Sequence, residues 1–228
     1  MSTNDLPALR ALGVSKDYGD RPALTPTDFV VAEGERMVLI GHNGSGKTTL
    51  LKISAGLLDA SSGTVEIFGR PAGSEPARRR LAYLGDTPTF YEDLSVMEHL
   101  EYVARLHGVE QWEPRGRELL QRLGISERAD DLPTRFSRGM RQKTAIALGF
   151  IRPFSLLLVD EPFVGLDEPG RRALVSLVDD AHRSGATVVV ATHELTYAAE
   201  APRVVALREG VVVYDGDPGG ADLHELVG

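Results

Sequence analysis

The chain has 228 residues, no cysteine, and 33 acidic against 25 basic side chains, for a net charge of −8 at pH 7. This length supports one sizeable α/β core, the absence of cysteine excludes disulfides, thiolate metal sites and a cysteine nucleophile, and the acidic balance argues against nucleic acid or an anionic lipid surface as the main partner. The longest apolar runs, at 155–159 and 187–191, are strand-sized and fall short of the roughly 20 residues that cross a bilayer, and residues 1–5 lack the apolar segment of a secretion signal.

Residues 9–15 and 28–31 are predicted as short strands, and the Glu33-Gly34-Glu35 turn feeds an apolar strand over 37–40. Residues 41–49 follow at once as GHNGSGKTT, matching G-x-x-x-x-G-K-[ST] at Gly41, Gly46, Lys47 and Thr48. The residue types explain the pattern. Through Gly41, His42, Asn43, Gly44, Ser45 and Gly46 the backbone N–H groups can turn inward around a polyphosphate, and the helix continuing through Thr49 adds its positive end. Lys47 is suited to neutralise β- and γ-phosphates, and the Thr48 hydroxyl to ligate Mg²⁺.

A turn at 61–63 leads to a strand over 64–69, and 78–84 runs into a strand ending near Leu84, with Arg78, Arg79 and Arg80 expected on a solvated helix face. Ser95 and Glu98 form a capping box that opens a helix carrying Met97, Leu100, Val103 and Leu106 and ending at Gly108. A second helix is predicted from Pro114 to Gly124, and a third from near Ser137, carrying Met140, Thr144, Ala147 and Leu148. Residues 87–150 therefore read as a helical insertion between α/β stretches at 1–86 and 151–228.

The apolar strand at 156–159 ends in Asp160 and Glu161, at the sheet edge where ligands of open α/β folds collect. Asp160 is suited to hold Mg²⁺ through water, and Glu161, just outside the strand, to polarise an attacking water. A helix over 169–184 and a buried strand over 187–192 follow; His193, at that strand's end, stands where it can contact a γ-phosphate and orient the water. A hairpin across Glu209-Gly210 closes the pattern. No internal repeat or low-complexity tract is present.

With these residues in place, the chain resembles the ATP-binding-cassette ATPases, the nucleotide-binding subunits of ABC transporters, over nearly its whole length. Ser137, Arg138, Gly139 and Met140 resemble the LSGGQ signature, Gly165-Leu166-Asp167 resembles the D-loop, and Tyr18 the aromatic that stacks on adenine. The resemblance implies an α/β fold with a P-loop NTPase (RecA-like) core, an N-terminal antiparallel β subdomain and an inserted α-helical subdomain. It implies ATP and Mg²⁺ as ligands and a head-to-tail homodimer or heterodimer in which Ser137 to Met140 of one copy contact the ATP of the other. It also implies a separate integral-membrane permease that holds the chain at the cytoplasmic face of the membrane.

Two departures carry meaning. Arg138 and Met140-Arg141 alter the signature in a way that resembles ABC-2-type exporters and the haem-exporter ATPases of cytochrome c maturation, which points to export. Asp86 stands where the family has a glutamine reaching Mg²⁺; as a carboxylate it is expected to reach the ion or its water shell. Asp86 and the altered signature also motivate a second reading, a regulatory or weakly hydrolysing subunit. A third is a soluble ABC ATPase acting on ribosomes or DNA, which the single cassette, the absence of sustained heptads in 87–150 and the acidic balance oppose.

Overall fold

The computed structural model describes residues 6–19 and 21–227, so the reading of residues 1–5 lies outside the described residues. The chain opens with strands β1 (Leu9–Tyr18) and β2 (Arg21–Val31), passes through β3 (Arg36–Ile40) into helix α1 (Lys47–Ser54), and returns as β4 (Ser62–Ile67) and β5 (Arg70–Pro71). Helix α2 (Glu75–Arg80) and strand β6 (Leu81–Leu84) precede three helices, α3 (Val96–Leu106), α4 (Trp112–Arg122) and α5 (Arg138–Phe150). Then come β7 (Leu156–Asp160), α6 (Glu168–Arg183), β8 (Thr187–Thr192), α7 (Leu195–Ala198), β9 (Val204–Arg208), β10 (Val211–Gly216) and α8 (Leu223–Val227).

Among the described residues two sheets form. One is antiparallel, in the order β2-β1-β4-β5; the other runs β10-β9-β3-β8-β7-β6 and is parallel except for the β9–β10 pair. Parallel strands are covered on both faces, which is why β7 and β8 read as unbroken apolar runs and are buried throughout. Strand alternation assigns the faces. Met37, Leu39, Leu156, Leu158, Val189 and Ala191 pack with Leu50, Leu51 and Ile53 of α1 and with Leu9, Phe29 and Ile67 of the antiparallel sheet. Val38, Ile40, Leu157, Val159, Val188 and Val190 pack instead with Leu100, Leu119, Ile146 and Leu174 of α3 to α6. Helix α1 is thus clamped between two sheets, and the inserted helices cover the opposite face. This is the α/β P-loop architecture the resemblance implies.

The elements depart from expectation in specific places. β2 runs over 21–31 rather than 28–31, because Pro22 and Pro26 lie on an edge strand, where a missing N–H leaves no ladder partner wanting. β1 continues to Tyr18 past a register shift between Ala11 and Val14. The second inserted helix starts two residues before Pro114, whose ring sits in the first turn. The capping box of α3 is present in full: Ser95 Oγ accepts from the Glu98 N–H at 3.3 Å and Glu98 Oε2 from the Ser95 N–H at 2.7 Å. Arg78 and Arg79 are exposed as expected, but Arg80 is not simply solvated, since its guanidinium lies 3.3 Å from the centre of the Phe68 ring. No helix among the described residues is long and apolar enough to cross a membrane.

Candidate nucleotide site

β3 delivers the chain into the loop 41–46, and α1 leaves it. The loop requires glycine at both ends. A Cβ on Gly41 would lie 2.4 Å from the Leu207 carbonyl oxygen, and one on Gly46, which caps α1 at φ 106°, would lie 2.8 Å from the Ala23 carbonyl oxygen. No side chain caps α1 and its first turn carries no acid, so its leading N–H groups remain available to an anion. Lys47 is buried, and its ammonium donates to the carbonyls of Gly41 at 2.7 Å and His42 at 3.2 Å, holding the loop curled around its own charge. Asn43 and Gly44 are exposed at the tip, Ser45 is buried with an unpartnered hydroxyl, and Thr48 and Thr49 are half-buried at the start of α1.

The acid pair is placed by strand parity. Asp160 shares the face of Leu156 and Leu158, so it points toward α1, and it is fully buried with neither carboxylate oxygen hydrogen-bonded among the described residues. Burial raises its pKa to about 6; the Thr48 hydroxyl opposes the rise, Asp86 and Glu161 add to it, and Lys47 opposes it weakly. A buried, orphaned carboxylate beside a threonine hydroxyl and a second carboxylate fits a cation such as Mg²⁺. Among the described residues no group of three or more His, Cys, Asp or Glu side chains converges for a metal. Magnesium takes one or two carboxylates and completes its shell with phosphate and water. Tyr83 of β6, missed in the sequence, joins this cluster: its hydroxyl is buried without a partner among the described residues, and burial with the Asp160 and Asp86 charges pushes its pKa well up. Alternation through Leu81 and Tyr83 was the signal that could have found it.

Glu161 begins the loop after β7 at φ 45°, a left-handed conformation that is uncommon for a side-chain-bearing residue and clusters at functional sites. Its N–H is held by the Ala191 carbonyl at 2.8 Å. Its carboxylate lies between Lys47 Nζ at 3.3 Å and His193 Nδ1 at 2.9 Å. The structure therefore brings Lys47, Glu161 and His193 to one point beside Asp160.

The serine-glycine segment lies elsewhere on the chain. Ser137 is exposed and N-caps α5, its hydroxyl accepting from the Met140 N–H at 3.3 Å, with Arg138 exposed beside it. A Cβ on Gly139 would meet the Gly165 carbonyl oxygen at 2.4 Å, so the start of α5 is packed directly on the loop that ends in Asp167. Asp167 N-caps α6 and pairs with Lys143 of α5 at 2.8 Å, a contact that holds its carboxyl below the usual range. Among the described residues no hydrogen bond or ion pair joins 137–140 to the cradle. Tyr18 ends β1 largely exposed, with Lys16 Nζ 5.3 Å from its ring centre.

A family model described as "ABC transporter" matches residues 24–164. The ABC-type transporter ATP-binding protein EcsA of Bacillus subtilis (strain 168) is 36% identical over 185 residues, 79% of this chain and 75% of its own. The cytochrome c biogenesis ATP-binding export protein CcmA of Cupriavidus pinatubonensis is 37% identical over 191 residues, 83% and 84% of the two chains. A solved structure described as the ATP binding subunit of an ABC transporter is similar with a TM-score of 0.88 at 33% identity, covering 96% of this chain and 97% of its own.

Proposed function

The chain belongs to the ABC transporter family as an ATP-binding, ATP-hydrolysing subunit, and on that premise we propose that two copies, or this chain and a second cassette, close head to tail over two MgATP to drive a separate membrane permease. The loop from Gly41 to Gly46, with Lys47 and Thr49, takes the polyphosphate; Thr48, Asp160 and Asp86 hold Mg²⁺; Tyr18 takes the adenine face. Ser137, Arg138, Gly139 and Met140 of the opposing copy close over the γ-phosphate, with Asp167 at the seam. Magnesium, when bound, neutralises charge on the β- and γ-phosphate oxygens. Glu161 accepts a proton from the attacking water while His193 orients the pair toward the γ-phosphate.

The observation that carries this reading is the meeting of Lys47, Glu161 and His193 at the mouth of the loop. Residues 87–150 act as a helical subdomain. The groove of about 550 Å³ between the loop after β6 and the ends of α3 and α5, lined by Tyr83, Pro88, Phe90, His107, Leu148 and Arg152, is the face we assign to the permease. That partner holds the chain at the cytoplasmic face of the membrane, and the export protein among the relatives favours export as the direction.

A weakly hydrolysing subunit is favoured by one feature, the Asp86 charge that raises the Asp160 pKa. Steady-state MgATP turnover by the purified chain, alone and with its co-purifying membrane protein, separates the two readings. A chain that turns over in both settings and loses turnover on Glu161→Gln supports the first.

A further inference from the structure

Arg171, one turn into α6, touches both loops that carry the proposed hydrolytic pair. Its Nη1 donates to Glu194 Oε1 at 2.7 Å and its Nη2 to Glu194 Oε2, and its guanidinium carbon lies 5.0 Å from the centre of the Phe163 ring. Glu194 directly follows His193, and Phe163 lies two residues after Glu161. The bracket is anchored further. Phe163 is buried edge-on against Tyr197, ring centres 4.9 Å apart, and the Tyr197 hydroxyl accepts from Arg36 Nη2 at 3.0 Å, while Arg36 Nη1 pairs with Asp179 of α6 at 2.7 Å.

We propose that Arg171 is a positioning residue for ATP hydrolysis: by gripping Glu194 and packing on Phe163 it sets the separation and orientation of Glu161 and His193. The proposal rests on the reading of that pair given above.

The need for such a bracket is physical. Glu161 holds a backbone conformation that persists only where its surroundings over-determine it. His193 is half exposed, and among the described residues its one side-chain hydrogen bond is to Glu161. Among the described residues the bend that carries it is tied at Glu194, through its N–H to Thr192 Oγ1 at 3.1 Å, its carbonyl to the Ala198 N–H at 3.2 Å and its carboxylate to Arg171. A two-pronged guanidinium–carboxylate pair fixes direction as well as distance, which a lysine ammonium cannot do. Arg172, the neighbouring cation, is engaged with Glu168 at 2.9 Å and is no substitute.

The test uses the whole chain with Arg171→Met, Arg171→Lys and the exchanged pair Arg171→Glu with Glu194→Arg, beside Glu161→Gln and His193→Ala. Steady-state turnover, MgATP affinity and thermal midpoint are measured for each. Arg171→Met is expected to lower kcat about tenfold with MgATP Kd held within about twofold, Arg171→Lys to fall short of wild type, and the exchanged pair to recover part of the loss. Wild-type kcat in Arg171→Met overturns the proposal. So does a joint loss of kcat, affinity and thermal midpoint, which marks a structural brace only. Full turnover in Glu161→Gln and His193→Ala instead brings down the reading of the pair, and the proposal with it.

Discussion

The Lys47 ammonium lies 3.3 Å from the Glu161 carboxylate, at a lysine only 5% exposed. Under the proposed function, one cation therefore serves both the phosphate cradle and the group assigned to polarise water. Replacing the carboxylate by an amide removes a competitor for Lys47 while abolishing the base. Glu161→Gln is expected to bind MgATP at least as tightly as wild type and to hydrolyse it about a hundredfold or more slowly, the scale of a lost general base. Equilibrium nucleotide titration and single-turnover hydrolysis check both halves.

Asp160 gives a pH-dependent prediction with a definite sign. Its ordinary value of 3.8 is raised to about 6 in the folded chain by burial. As pH rises from about 4 to 6 the unfolded chain has released this proton and the folded one has not, so folded stability falls across that window. The full cost, on the order of 2–3 kcal/mol, is present above it. Asp160→Asn should therefore raise the thermal midpoint at pH 7.5, with the gain shrinking toward pH 4, and should lose magnesium-dependent turnover. A variant that melts no higher at pH 7.5 contradicts the buried, cation-seeking carboxylate.

A Cβ on Gly139 would lie 2.4 Å from the Gly165 carbonyl oxygen, so the contact between these two glycines leaves no room for a methyl group. Gly139→Ala must push the start of α5 off the Asp167 loop, at a cost of about 1–3 kcal/mol. Nucleotide affinity of the isolated chain is expected to stay near wild type, since the cradle is untouched, while turnover falls. Equal loss of both would place the signature segment in the same binding site as the cradle.

The α3 capping box is a control remote from the loop. Ser95→Ala removes the acceptor for the Glu98 N–H and is expected to cost about 1 kcal/mol, a drop of roughly 2–4 °C in melting temperature for a chain of this size. MgATP affinity should not move.

Legibility of the fold followed the range over which each signal acts. The cradle, the capping box, the buried strands β7 and β8, the acid pair that ends the first and the histidine that follows the second are local patterns in which a few adjacent residues decide the conformation. β2 was half hidden because Pro22 and Pro26 read as breakers until its edge position is known. Helices α2, α7 and α8 are too short for an apolar repeat to register; α2 buries only Ala77. Arg171 was invisible for a different reason: its partner Glu194 is 23 residues away, and nothing in either neighbourhood marks them as a pair.

The central claim is that a triphosphate is held between the loop at Gly46 of one copy and the helix start at Ser137 of another. Its most direct test is the solution mass of the Glu161→Gln chain with and without MgATP, measured by light scattering. The account predicts 24.7 kDa without nucleotide and twice that with MgATP, the shift disappearing when magnesium is chelated. A chain that binds MgATP and stays at 24.7 kDa, or that pairs equally without it, contradicts the claim.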